Sequence, residues 1–283
     1  VELDCDGIPA VKSKIFDPDE AEQLRSRCHG NEAIVTAVKE TEKKVKAPKL
    51  YDLTTLQREA NRIYGMTAKQ TLDTAQSLYE KKLITYPRTD SQYLTEDMEQ
   101  TARNVVRQIY EKYQLTGPFD QPEQPDVKKV MNNSKVTDHH AIIPTMELAS
   151  SHLDELKSWE EKILFLIAVH TVMAMSKDHI YQETEIEVEC QGEIFKAKGK
   201  TVLQDGWKLF ENCFKNKDRM AIVDPDQEMK ERMPKVTQGQ TFYAVAAEKT
   251  EHFTSPPKPY SEDTLLAAME TAGNKEFDED TEK

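Results

Sequence analysis

Apolar and polar positions divide the 283-residue chain into stretches of different period. Alternation from Ile8 to Phe16 predicts a strand; Asp17-Pro18-Asp19-Glu20 then opens a helix with an acidic cap and a first-turn proline, and Gly30 stops it. Asn31 to Lys46 alternates as a long strand, with Ile34, Thr36, Val38 and Glu40 on one face. Its charged second half predicts an exposed ribbon. After Pro48 the period becomes helical. Asp52 to Tyr64 carries Leu53, Leu56, Ala60 and Ile63 on one side and ends at Gly65, and Thr67 to Gln70 has capping-box form and starts a helix to Lys82. A third helix is expected from Thr95 to Leu115, a Pro- and Gln-rich loop over 116–127, and a long apolar helix from Leu153 to Lys177. Alternation returns in Ile180–Glu189, Glu193–Leu203 and Phe242–Ala247, and a capped helix from Ser261 to Ala272 is closed by Gly273. Strands before and after a helical stretch predict an α+β, multi-domain chain in which one β domain is interrupted by a helical one.

Charge refines this picture. The chain carries a formal charge of −13, which excludes a protein that grips a duplex by bulk electrostatics. The acid is unevenly spread. Residues 1–46 hold 8 basic and 10 acidic side chains, 47–178 hold 16 and 19, and 179–283 hold 14 and 22, for nets of −2, −3 and −8. A local basic funnel is compatible with the nearly balanced middle. Cys5, Cys28, Cys190 and Cys213 are far apart and form no Cys-x-x-Cys pair, so neither a zinc site nor a disulfide framework is expected. No apolar run reaches membrane-spanning length, no signal peptide opens the chain, and a cytoplasmic protein is expected. The start at Val1 and the acidic end at 278–283 read as cuts in a longer polypeptide.

The candidate chemistry lies between the second and third predicted helices, in Tyr86-Pro87-Arg88-Thr89-Asp90-Ser91. Pro87 drives Tyr86 into extended backbone, so Tyr86, Arg88 and Asp90 project to one side and Thr85, Pro87 and Thr89 to the other. A phenol beside a guanidinium can act as a nucleophile, because the cation stabilises the phenolate and its planar fork suits a phosphate. The plain alternative is a buried tyrosine with a surface ion pair.

The run Leu83 to Ser91 resembles the active-site motif of type IA DNA topoisomerases, and its proline between Tyr and Arg is similar to the topoisomerase III branch. Asp138-His139-His140-Ala141-Ile142-Ile143-Pro144-Thr145 resembles the same branch's histidine motif, and Pro256 to Leu266 resembles that family's entry into its next domain. The resemblance implies a β-rich arch or hinge over 1–50 and 179–260, a helical domain over 51–178, and the start of a following domain over 261–283. It implies an ATP-independent enzyme that cleaves single-stranded DNA through a 5′-phosphotyrosyl intermediate, passes a strand and reseals. Tyr86 would be the nucleophile. Arg88 would hold the phosphate, and His139 would contact phosphate or relay a proton. Lys81, Lys82, Thr89, Asp90, Ser91 and His140 are candidate DNA contacts. For both lysines the alternative is complementing a helix end, and for Thr89 and Asp90 it is holding the loop's shape.

In that family Mg²⁺ is held by a Toprim domain upstream, through Asp-x-Asp continuing into Arg-Glu-Gly-Glu. The pairs Asp4/Asp6, Asp17/Asp19 and Asp224/Asp226 do not continue that way, so no metal or other cofactor is expected in this chain. The implied partners are single-stranded DNA and the Toprim and C-terminal domains of the same polypeptide, in the bacterial nucleoid. The fragment alone is expected to be inactive. The rival reading is a non-catalytic single-strand-binding or interaction module.

Overall fold

The computed structural model describes residues 1–115, 125–210 and 234–272. These fall into two compact units. The first holds residues 1–45, 178–205 and 234–256, and the second holds 46–115, 125–177, 206–210 and 257–272.

In the first unit seven strands form one sheet: β1 (Glu2–Asp4), β2 (Pro9–Val11), β3 (Ala33–Val45), β4 (His179–Cys190), β5 (Glu193–Gln204), β6 (Thr241–Phe242) and β7 (Ala246–Glu248). Their order is β6-β3-β4-β5-β2-β1-β7, and every pairing is antiparallel. β6 and β7 are neighbours in sequence yet occupy opposite edges. The four Cα steps between Phe242 and Ala246 span at most about 14 Å, so the sheet has to curl until its edges approach. Helix α1 (Pro18–Cys28) brings Ala21, Leu24 and Cys28 into a core with Leu3, Val35, Val188, Phe195 and Phe242. Gln191 and Gly192, at φ 53° and 80°, make the two-residue turn between β4 and β5.

Two strand expectations change. The strand read over 8–16 is confined to Pro9–Val11, because Lys14 at φ 66° turns the chain and leaves Phe16 exposed. The strand read over 242–247 is cut by Ala244 at φ 54°, and its halves part to the two sheet edges. Cys5, Cys28 and Cys190 are buried free thiols, and burial pushes Cys5 up to about 11 and Cys190 up to about 12. Such thiols are unreactive near neutral pH. Cys213 lies outside the described residues.

The second unit is built from α2 (Leu53–Tyr64), α3 (Ala68–Glu80), α4 (Glu99–Tyr113), α5 (Ser158–Ala174) and α6 (Glu262–Thr271). Asp52 with Thr55 and Thr67 with Gln70 form capping boxes, and Gly65 at φ 66° closes α2. Helix α5 is the axis of the unit. Every residue from Ile163 to Ala174 is buried. Its predicted first turns are a separate 3₁₀ turn at Leu153–Glu155, and Trp159 on its first full turn is exposed. The helix read over 95–115 likewise begins as a 3₁₀ turn at Glu96–Met98 before α4. α6, at the start of the stretch read as a following domain, is fastened to α2 through Arg58, 3.0 Å from Asp263 and 3.1 Å from Glu270.

Two polar groups of α5 are buried for structural reasons. Glu160 accepts from Lys81 Nζ at 2.6 Å, Ser77 Oγ at 2.7 Å and the Lys157 amide at 2.9 Å, tying the start of α5 to the end of α3. Burial alone would raise its pKa, but those donors outweigh it and hold Glu160 at about 2. His170 stacks on Tyr51 at 3.7 Å, and its Nε2–H donates to Lys49 O at 2.7 Å. The Tyr51 hydroxyl donates to Glu59 Oε2 at 2.5 Å, and that carboxylate lies 3.6 Å from His170 Nδ1. Burial lowers the His170 pKa, and Glu59 opposes this only in part.

Both shifts lower the folded-state value, so each group contributes stability above its unfolded pKa and loses it as pH falls. Thermal melts should therefore lose stability as pH falls from 7.5 to 5.5, where an unfolded imidazole charges and the buried one resists charging. A second loss should follow as pH falls from about 4.5 to about 2, where Glu160 takes a proton in the unfolded chain but stays ionised in the folded one. His170→Gln, which keeps a donor for Lys49 O, should abolish the first slope and leave the second. Parallel melting curves for the variant and the parent would contradict this account.

Candidate active site

The motif loop is launched by the end of α3. Lys82, at φ 61°, is the left-handed residue of a Schellman close: its amide donates to Tyr79 O at 2.8 Å and the Leu83 amide to Leu78 O at 2.9 Å. The chain then runs extended beside the histidine motif. The Thr85 amide donates to Ile143 O at 3.0 Å and the Thr145 amide to Leu83 O at 3.0 Å, flanking the antiparallel bridge between Ile84 and Pro144. Ile84–Pro144 is thus a non-hydrogen-bonded pair, so Pro144 needs no N–H there.

Side-chain hydroxyls reinforce this backbone pairing. Thr85 Oγ1 donates to Ala141 O at 2.9 Å and accepts from the Ile143 amide at 3.0 Å. Thr89 Oγ1 donates to His139 O at 3.0 Å and accepts from the Ser91 amide at 3.1 Å. Ser91 Oγ donates to Lys135 O at 2.8 Å, and Thr145 Oγ1 donates to Lys82 O. The first amide of α2, on Leu53, donates to Thr89 O at 3.0 Å. Every second residue from Pro87 to Ser91 is buried, while Arg88 and Asp90 are exposed and Tyr86 is half-buried. Extended backbone produces this alternation.

The pairing brings residues 53 positions apart into contact. The Tyr86 ring lies 4.3 Å from that of His139, tilted by 46°, and the edge of Tyr79 packs on it at 5.4 Å. Arg88 forms no ion pair or side-chain hydrogen bond among the described residues, which leaves its five N–H donors available. His139 is exposed, whereas His140 Nδ1 lies 2.9 Å from Ala141 O. The structure therefore separates the adjacent imidazoles: one faces the phenol and the other holds backbone.

Other candidates are tied down. Lys81 is engaged by Glu160, and the Thr89 and Ser91 hydroxyls are taken by backbone, so these three shape the site. Asp90 is exposed, and the exposed Lys82 ammonium has no acidic partner among the described residues. Sequence reasoning overlooked Tyr79, which lies in the last turn of α3, four residues after the buried Ala75 and at the edge of the buried face.

Among the described residues no group of three or more His, Cys, Asp or Glu is placed to hold a metal ion. Asp17 caps α1 through the Asp19 amide, and Asp4 accepts from the Gly7 amide. Asp224 and Asp226 lie outside the described residues.

Over residues 8–273 the sequence matches the family profile described as DNA topoisomerase. It is 37% identical over 268 residues to DNA topoisomerase 3 of Bacillus licheniformis, covering 92% of this chain and 35% of that protein. To DNA topoisomerase 3 of Bacillus subtilis it is 38% identical over 264 residues, with the same coverage of each chain. The fold is similar to full-length topoisomerase I of Thermotoga maritima, with a TM-score of 0.69 at 26% identity over 96% of this chain and 43% of that one. The chain spans about a third of the length of the curated relatives it matches. A match across nearly the whole sequence, in a chain whose tyrosine loop and histidine segment are locked side by side, means that the chain belongs to the type IA DNA topoisomerase family.

Proposed function

We propose that this chain is the central region of a topoisomerase III-like enzyme and carries its nucleophile. The Tyr86 oxygen attacks a phosphodiester of single-stranded DNA. A P–O bond to tyrosine forms as the bond to the 3′ oxygen breaks, leaving a 5′-phosphotyrosyl link and a free 3′ hydroxyl. Attack by that hydroxyl reverses the exchange. One phosphoester replaces another at each step, so resealing needs no ATP. The observation that supports this best is the Tyr86–His139 contact beside an unpaired Arg88.

In this reading Arg88 binds the scissile phosphate and offsets the charge that develops there, its planar fork matching two phosphate oxygens. His139, whose ring packs on that of Tyr86, takes the phenolic proton or donates to phosphate. Lys82 supplies a second cation at the loop's entrance. The curled sheet of the first unit is the arch that opens for strand passage, and the helical unit bears the broken end. Mg²⁺ enters with the Toprim domain of the longer polypeptide, and the enzyme acts on the nucleoid. Among the described residues no helix is long and apolar enough to cross a membrane.

Two measurements check this. In the full-length polypeptide with Mg²⁺ and a labelled oligonucleotide, a denaturation-resistant adduct should form on Tyr86, with the label following the 5′ end. Tyr86→Phe should abolish it and Arg88→Ala should reduce it at least ~100-fold, about 3 kcal/mol of transition-state stabilisation. An undiminished adduct in Tyr86→Phe would refute the assignment. Lys82→Gly separates binding from folding, because glycine relieves a left-handed position. It should match or raise the unfolding free energy, by up to about 1 kcal/mol, while weakening oligonucleotide binding several-fold. Unchanged binding would remove Lys82 from the DNA path.

A further inference from the structure

Seven residues beyond Tyr86, a second tyrosine has two cations close to its ring. Lys135 Nζ lies 5.0 Å and Lys49 Nζ 5.7 Å from the centroid of the Tyr93 ring. Tyr93 is half-buried and both lysines are exposed. Neither ammonium has an acidic partner among the described residues, although the chain carries 51 acidic side chains against 38 basic ones. Some other lysines here are paired, as Lys81 is with Glu160 and Lys196 with Glu187. Two cations without acidic partners thus meet at one aromatic ring, and the contact with Tyr93 does not require both.

The cluster is rigidly geared to the motif loop. Ser91 Oγ donates to Lys135 O at 2.8 Å and accepts from the Tyr93 amide at 3.2 Å, so one hydroxyl sets both positions. Tyr93 O accepts from the Ala141 amide at 2.9 Å, in the segment that carries His139. The Gln92 side chain donates to the cap residue Asp52 at 2.9 Å, and Lys49 and Gln92 both line a cleft of about 400 Å³. Arg88 and Tyr93 are five residues apart, within about 18 Å of even fully extended backbone, the reach of a few nucleotides.

We propose that Lys49, Tyr93 and Lys135 form a second subsite for single-stranded DNA. Tyr93 offers a ring on which one base stacks, and the lysines hold the phosphates on either side of it, at a fixed distance from Tyr86. An aromatic with flanking cations is what sequence-tolerant single-strand recognition requires, since every base has a π face and every nucleotide a phosphate. A duplex, whose bases are already stacked, gains only the phosphate contacts. This subsite deepens the topoisomerase reading and rests on it for the direction of the strand, but its binding chemistry is independent of cleavage.

The test measures binding in the Tyr86→Phe background without divalent cation, by anisotropy of a short labelled oligothymidylate. Tyr93→Leu should weaken binding about tenfold and Tyr93→Phe should restore it. Lys49→Gln with Lys135→Gln should flatten the slope of log affinity against log salt by about 1.4, or 0.7 per phosphate released. Melting temperatures identify any variant that misfolds, and Tyr93→Phe serves as the folded control. Parent-like affinity and salt slope in folded variants would overturn the subsite, as would equal loss of duplex and single-strand binding in Tyr93→Leu. Adduct formation on Tyr86, assayed separately in the full-length polypeptide, reports on the catalytic reading alone. An absent adduct with weakened Tyr93→Leu binding sinks that reading and supports the subsite as a single-strand contact.

Discussion

The site depends on a pair of threonine hydroxyls that join two distant segments. Thr85 and Thr89 each donate to a carbonyl of the 139–141 stretch and each accept an amide, so neither has an unmet donor or acceptor role inside the unit. A buried hydroxyl left unpaired costs about 1–3 kcal/mol, which makes this arrangement strongly preferred over any shifted register. Because the side chains of an extended segment alternate, fixing Thr85 and Thr89 inward forces Tyr86, Arg88 and Asp90 outward. The chemistry faces solvent because the scaffold faces the core.

The same constraint explains the prolines. Pro87 keeps Tyr86 extended, and Pro144 occupies a non-hydrogen-bonded pair opposite Ile84, where its missing donor does no harm. It also explains why His139 and His140 diverge. Thr89 holds the His139 carbonyl, the next side chain turns to the opposite side, and only one imidazole reaches the phenol. Glu160 plays the complementary part at the loop's entrance. By anchoring Lys81 it fixes the end of α3, and with it the left-handed Lys82 from which the loop departs.

Much of this was legible from residue order. The tyrosine loop, its two-sided alternation, the histidine block and the capped helices follow from local rules that local geometry obeys. What sequence could not show was partnership. Lys81 and Lys82 look alike in the chain, yet one meets a glutamate 79 residues away and the other meets solvent. Tyr79 seemed an ordinary helix residue until the Schellman turn folded the loop back over it. The strands misjudged at 8–16 and 242–247 each contain a residue other than glycine at positive φ, Lys14 and Ala244, for which no sequence signal exists. Ala244 lies between two strands that reach opposite edges of the curled sheet, a property of seven strands together.

The central claim is that threonine-mediated pairing of two segments poises Tyr86. Thr85→Val, which keeps the shape and removes the hydroxyl, measures this most directly when amide hydrogen exchange and single-turnover DNA cleavage are followed together in the full-length polypeptide. The account predicts faster exchange at 83–91 and 139–145, unchanged exchange in α4, and cleavage slowed at least ~10-fold with little change in oligonucleotide affinity. Full cleavage activity despite lost protection in both segments would contradict it.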